Sequence, residues 1–439
     1  MHSHPRTEDQ LLHHMQKKAF AYFQHETNPR NGLVRDKNAP LWPASIAAIG
    51  LALASYPVAV ERSWMGKDAA IERTLTTLQF FRDSPQGTEP DASGYRGFYY
   101  HFLDMQSGRR AWHCELSTVD SAFLFAGMLA AAAYFKDDTP AQREIRDLAD
   151  ALYQRADWQW AQTEDGTLSH GWFPECGFIP HQWQGYDEGL LLYVLALGSP
   201  THSLPASAYL AWASTYEWMR CYDIDYLYAG PLFTHQLSHV WIDFRGIQDT
   251  FMRGMGIDYF ENSRRATQIQ QRYAIDNPLG FKGYSAECWG ITASDGPGPA
   301  TQTNDGVERR FYAYEGRGAP FGIDDGTLAP WGVAASLPFA PEIVLPTVQY
   351  FMYAMRLHEQ HHYGFKASFN QTWIDHSANT PFTGWISPYY FGLNQGPIVL
   401  MVENYRTGML WELMRDCRWI VAGLKRAGFV GGWLSAGVA

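Results

Sequence analysis

The chain has 439 residues, 46% hydrophobic and 18% charged, a globular balance that excludes a disordered or fibrous protein. Its formal net charge of -11 argues against a phosphate-backbone ligand, which needs a basic face, so no nucleic-acid partner is expected. No apolar run reaches the ~20 residues of a spanning helix, and no membrane partner is expected.

A capping box, Thr7-Glu8-Asp9-Gln10, opens the first helix. Leu11, Leu12, Met15, Ala19 and Phe23 follow at helical spacing, and Pro29 with Asn31-Gly32 closes it. Ala44 to Leu53 is small, apolar and helical in character, and Lys67 to Arg82 is amphipathic. Ser117 to Phe135 is apolar nearly all round and reads as a buried helix. Thr139-Pro140 is an N-cap followed by an N1 proline, ahead of Ile145, Leu148 and Leu152 on one face. Further helices are predicted at Asp187–Leu197, Ser207–Met219, Ile257–Tyr273, Pro341–Met355, Gly396–Arg415 and Arg418–Lys425. Strand-like alternation is rare. Gly283 to Trp331, rich in Gly and Asp, reads as a long loop or a small β insertion. No linker or repeat divides the chain, so one domain over residues 1–439 is expected. The fold class is all-α. An (α/α) barrel accounts for the alternation of buried and amphipathic helices, with loops at one end forming a cleft.

The five cysteines, Cys114, Cys176, Cys221, Cys288 and Cys417, are scattered, without metal-ligand spacing. They read as buried free thiols, and neither a metal nor an organic cofactor is expected. Met1 to Pro5 lacks the basic and apolar regions of a secretion signal. The expected compartment is therefore cytoplasmic, or periplasmic if a leader has been removed. The sequence leaves the oligomeric state open.

The chemistry lies in acids set among aromatics; the chain holds 17 Trp, 25 Tyr and 25 Phe. A ring face can stack on a pyranose while its polar edge meets hydroxyls. The run from Trp112 to Asp120 holds Glu115, and places Ser117 and Asp120 three residues apart at the start of a buried helix. A second run carries Trp172, Glu175, Trp183, Tyr186, Asp187 and Glu188, just before the apolar Leu190–Leu195. Desolvation among rings raises a carboxyl pKa, as a general acid requires, which singles out Glu188. Asp187 is the alternative cap of that helix. A third run offers His235 and His239 as donors to sugar hydroxyls, with Asp243 and Arg245, whose plainer role is an ion pair. Glu287 and Trp289, then Trp373 with Asp375, and Trp385 complete the set. His361-His362 lacks a third ligand at helical spacing and reads as solvated surface.

Several long segments resemble the bacterial glucoamylase-like family and, through it, glycoside hydrolase family 144 and the glycosidase-like modules of cyclic β-1,2-glucan synthases. They include Asn28–Asp36, Gly97–Asp104, Glu115–Asp120, Tyr193–His202, Trp241–Gly246, Asp258–Arg265, Leu337–Glu342 and Asn394–Ile398, spread over nearly the whole chain. The resemblance implies an (α/α)6 barrel and inverting endo-action on β-1,2-glucan. Carried over by motif, it makes Glu188 the candidate general acid and Asp120 an acid that meets the sugar near the cleavage point. Ser117, Ala367 and Asn394 stand where relatives often carry acids, and the Ser-x-x-Asp form is closer to the cyclase-associated modules.

The expected activity is an endo-β-1,2-glucanase, with Glu188 as acid and Asp120 or Glu115 as the second carboxylate. A transglycosylase or an exo-acting, oligosaccharide-releasing enzyme is the alternative. A third is a non-catalytic glucan-binding protein. In each case the partner is a glucan.

Overall fold

A computed structural model describes residues 7–358, 362–374 and 384–435. His361 and Asp375 lie outside the described residues. The helices alternate between those covered on one face and those covered nearly all round. In chain order they are α1 (Glu8–His25), α2 (Ile46–Glu61), α3 (Lys67–Asp83), α4 (Thr118–Tyr134), α5 (Pro140–Gln154) and α6 (Leu190–Gly198). Next come α7 (Ala206–Ala213), α8 (Leu237–Trp241), α9 (Thr250–Met255), α10 (Tyr259–Asp276), α11 (Pro330–Ala335) and α12 (Pro341–Gln349). The last are α13 (Gly392–Arg406), α14 (Met409–Arg415), α15 (Arg418–Arg426) and α16 (Gly432–Ser435).

Six of these, α2, α4, α6, α8, α11 and α13, bury most or all of their residues. Their composition dictates this. In α6, Leu190 to Gly198 has no polar face to offer water, and every residue is buried. Neighbouring buried helices pack on one another: α2 on α4, α4 on α6, α6 on α8, α11 on α13 and α13 on α2. Between α8 and α11, Gln236 Nε2 donates to the carbonyl of Gly332 and to Ser336 Oγ. Amphipathic helices back this layer, with α1 against α13, α5 against α4 and α15 against α6. The contact of α2 with α4 is backbone to backbone. A Cβ on Gly127 would lie 2.0 Å from the Gly50 carbonyl oxygen, and one on Gly50 would lie 2.2 Å from that of Phe123.

The structure departs from the sequence reading in several places. The Thr7 capping box is present. The helix expected over Ser207–Met219 stops at Ala213, because Trp218–Cys221 pairs with Ile224–Leu227 as a hairpin. The helix expected over Gly396–Arg415 is two, α13 and α14, parted at Thr407-Gly408, where Gly408 has φ 73°. The short helices α8, α9, α11 and α16 carry too few turns for a periodic signal. Strands are more numerous than expected, but most are two or three residues long. A small antiparallel sheet joins Gly94–Tyr95, Phe98–Tyr100, Leu116–Ser117, Gly171–Phe173 and Gly177–Phe178. The Gly283–Trp331 region does contain a β insertion: Ala293–Ser294 pairs with Glu315–Gly316, and Ala300–Asn304 with Val307–Phe311. All five cysteines are free thiols, but only Cys114, Cys221 and Cys288 are buried; Cys417 is partly buried and Cys176 exposed. Among the described residues, no helix is long and apolar enough to cross a membrane.

Candidate active site

One cavity of about 440 Å³ collects residues from the N-terminal end of every buried helix. Ser45 caps α2, Asp120 lies in the first turn of α4, Glu188 just precedes α6, and Leu237 opens α8. Trp331 comes from α11, and Leu393 and Asn394 from α13. Helix N-termini carry partial positive charge, which favours anionic side chains there. Asp36, Lys37 and Trp42 precede α2, and His101 and Phe102 directly follow the Phe98–Tyr100 strand. Tyr314 and Gly316 come from the β insertion. The volume falls within the range of small-molecule sites.

Glu188 is partly buried in this cavity. Its burial, then the charges of Asp120 and Asp187, push its carboxyl up to about 8, while His101 pulls the other way. A carboxyl so placed is protonated at neutral pH and can donate. Asp187 does not cap α6, whose N-cap is Gly189; its Oδ1 braces the turn before the helix, accepting from the Gly189 amide at 2.8 Å and from Trp212 Nε1 at 2.9 Å. Burial raises Asp187 to about 6.

Asp120 is held from two directions. Ser117, the N-cap of α4, accepts from the Asp120 amide at 3.2 Å and donates its hydroxyl to Asp120 Oδ2 at 2.5 Å. His101 Nε2 lies 3.7 Å from the same oxygen. The sheet explains why: Tyr100 pairs with Leu116, so His101 and Glu115 sit side by side, and His101 Nδ1 donates to Glu115 Oε1 at 2.7 Å. Burial alone would lower the His101 pKa, but Asp120, Glu115 and Asp36 together push it up to about 9. Burial also raises Asp36, to about 6, against the pull of His101 and of Trp42 Nε1, which donates to its carboxylate at 3.1 Å.

Aromatic rings form the mouth. The Trp112 indole is 54% exposed and meets Trp42 edge-on at 4.7 Å. Trp112 and His113 both adopt left-handed φ, 56° and 49°, uncommon for bulky residues. Lys37 Nζ lies over the rings of Trp42, Tyr389 and Phe391 at 4.0, 4.6 and 5.3 Å.

Of the residues singled out from sequence, Glu188, Asp120 and Trp112 line the cavity; Ser117, Glu115 and Asp187 stand directly behind it. The others lie elsewhere. Trp172 stacks on Tyr95 at 5.0 Å, and Glu175 is paired with the buried Arg110. Trp183 donates to Thr118 Oγ1, and Tyr186 stacks on Tyr259. His235 and His239 are buried, which depresses them to about 4 and about 3; they face the Ala229 carbonyl and Ser263. Asp243 is ion-paired with Arg245 and Arg415. Glu287 is exposed, and Trp289 donates to Thr347. Trp373 packs on Phe311, Trp385 pairs within a short strand, and His362 is exposed. Sequence reasoning passed over Asp36, Lys37, Trp42, His101 and Tyr314. Asp36 and His101 fall within the segments that carry the family resemblance and Lys37 adjoins one; an imidazole at the end of the aromatic run Phe98–Tyr100 was the available signal.

The family described as "Putative glucoamylase" matches residues 180–418, more than half the chain. The chain belongs to this glucoamylase-like family. A solved protein of Bacteroides uniformis, described in the same terms, is 30% identical, covers 98% of this chain and 100% of its own, and superposes with a TM-score of 0.86. A β-1,2-glucanase from Parabacteroides distasonis is 25% identical over 97% of this chain and 61% of its own, with a TM-score of 0.83. The exo-β-1,2-glucooligosaccharide sophorohydrolase (non-reducing end) of Parabacteroides distasonis is 28% identical over 97% of this chain. The chain spans 58% of the length of that curated relative. Both named activities are glycoside hydrolyses.

Proposed function

We propose that this chain is a glycoside hydrolase of β-1,2-linked glucan, built as a single (α/α)6 barrel whose inner helices are α2, α4, α6, α8, α11 and α13. The observation that carries the reading is a carboxyl poised as an acid, Glu188, sharing an aromatic-mouthed cavity with Asp120. Glu188, kept protonated by burial, supplies an acid, and Asp120 supplies a second carboxyl within the same site. Glu188 protonates the glycosidic oxygen as the bond to the anomeric carbon breaks. Asp120 either takes a proton from the water that adds to that carbon or attacks the carbon itself. The separation of the two carboxyls at work decides between inversion and retention, and the anomer first released reports it. The names of the relatives point to the β-1,2 linkage.

Cleavage within the chain is the first reading. A second, release of short units from one end, is favoured by the β insertion, which places Ala293, Tyr314 and Gly316 in the cavity wall. It also agrees with the name of the sophorohydrolase. Product lengths at early times separate the two: a spread of sizes marks internal cleavage, and a single short product marks terminal release.

The deciding experiment incubates the wild type and Glu188→Gln with linear β-1,2-glucan and, in parallel, starch. Wild-type release from β-1,2-glucan is expected, with kcat about 10²- to 10⁴-fold lower in the variant and KM little changed. Release from starch alone, or from neither, overturns the proposal.

A further inference from the structure

Glu115 does not line the cavity, yet it is joined to it through one imidazole. We propose that His101, bound by Glu115 on one ring nitrogen and facing Asp120 with the other, is a positioning residue that holds Asp120 aimed at the sugar across from Glu188. This deepens the reading of the chain as a glycoside hydrolase and rests on it for its catalytic part.

The geometry assigns a direction to the chain of contacts. The strand pairing of Tyr100 with Leu116 fixes the two backbones, and the His101 amide donates to the Glu115 carbonyl at 3.0 Å. The Nδ1 contact with Glu115 leaves Nε2 pointing at Asp120 Oδ2. Phe102 stacks on the imidazole at 3.9 Å and limits its rotation. Asp36 faces the ring from the segment before α2, and Glu188 from the turn before α6. Arg110 and His170 face Glu115, Lys37 faces Asp36, and the Cys114 thiol lies beside both Glu115 and Asp120. The carboxylates outnumber the cations around His101, so the ring is held as an imidazolium. The imidazolium faces Asp120 Oδ2, and the same cation lowers Glu188.

Two sets of measurements test this. In the first, the imidazole nitrogens are titrated by NMR in the wild type and in Glu115→Gln, with no substrate present. The wild-type ring is expected to stay protonated to about pH 9 and to titrate about 1 unit lower in the variant. An imidazole that titrates near its ordinary value in the wild type overturns the pairing, whatever the enzyme acts on. In the second, pH–rate profiles on linear β-1,2-glucan compare the wild type with His101→Asn. The variant is expected to lose about 10- to 100-fold in kcat, with KM within about threefold. The limb set by Glu188 should move up by about 1 pH unit, because Glu188 loses a neighbouring cation. An unmoved Glu188 limb, or a rise in KM at constant kcat, overturns the positioning role. A titration as expected in a protein without glucanase activity rejects the proposed function and leaves the ion triad standing.

Discussion

Glu188 and Asp120 both bring a carboxyl to one cavity, and their surroundings differ. Glu188 stands in a turn with no side-chain donor among the described residues, whereas Asp120 has Ser117 and His101 against one oxygen. Trp112 shows the opposite kind of cavity residue, one half open to solvent that touches only Trp42 and Phe102 among the described aromatic rings. With its ring 54% exposed, Trp112→Ala should change stability by no more than about 0.5 kcal/mol. If the indole stacks on sugar equally in ground and transition states, KM should rise about tenfold at nearly constant kcat. Thermal melts and initial-rate kinetics on β-1,2-glucan check the two halves separately. At this scale the sequence was legible where an acid adjoins a long apolar run, as at Glu188 and Asp120. It was misleading where a Trp or His adjoins an acid for packing alone: Trp183 and Trp289 donate to buried threonine hydroxyls, and His235 and His239 are core groups bonded through one ring nitrogen each. Local sequence carries no sign of which way such a ring points.

At the scale of elements, the long buried helices were readable because fourteen successive residues of α2, for instance, have no solvent face. The short helices and two-residue strands were not, since their positions depend on tertiary pairing rather than on periodicity. That matters for function, because His101 reaches Glu115 only through such a strand pair. The β insertion is likewise set by tertiary contacts. Arg317 and Asp325, both fully buried, form a bidentate pair at 2.7 and 2.8 Å, and Arg317 also donates to the carbonyls of Ser294, Tyr312 and Ala313. Burial alone would raise Asp325, but Arg317 holds its carboxyl below the usual range. Tyr314 sits in the turn this clamp secures. Arg317→Met leaves a buried carboxylate without its partner and should cost about 3–5 kcal/mol, read by urea unfolding. KM should also rise as Tyr314 loses its fixed place.

For the whole molecule, the buried titrating groups pull stability in two directions with pH. Glu188, Asp36 and Asp187 have raised values in the fold, so their contribution is intact below about pH 4 and lost as pH climbs through 6 to 8. His101, also raised, contributes fully below its unfolded value near 6.5 and loses that contribution as pH rises through about 9. His235 and His239 are depressed. Their neutral, buried state is favoured above 6.5, and that support fades as pH falls towards 4 and 3. Stability should therefore peak on the acid side of neutrality. Glu188→Gln removes one of the groups that must ionise at high pH. It should melt about 1–3 °C above the wild type at pH 8.5 and close to it at pH 5. A variant that melts lower at both pH values would show that the glutamate helps to hold the fold. The backbone contact between Gly50 and Gly127 has a consequence of another kind. Gly127 lies seven residues beyond Asp120 along α4, about 10 Å of helix, so the spacing of the two helices is set away from the cavity's carboxyls. A lineage could drift in cleft width, and so in preferred substrate, through methyl groups gained at these two positions while every residue at the reaction centre stayed the same.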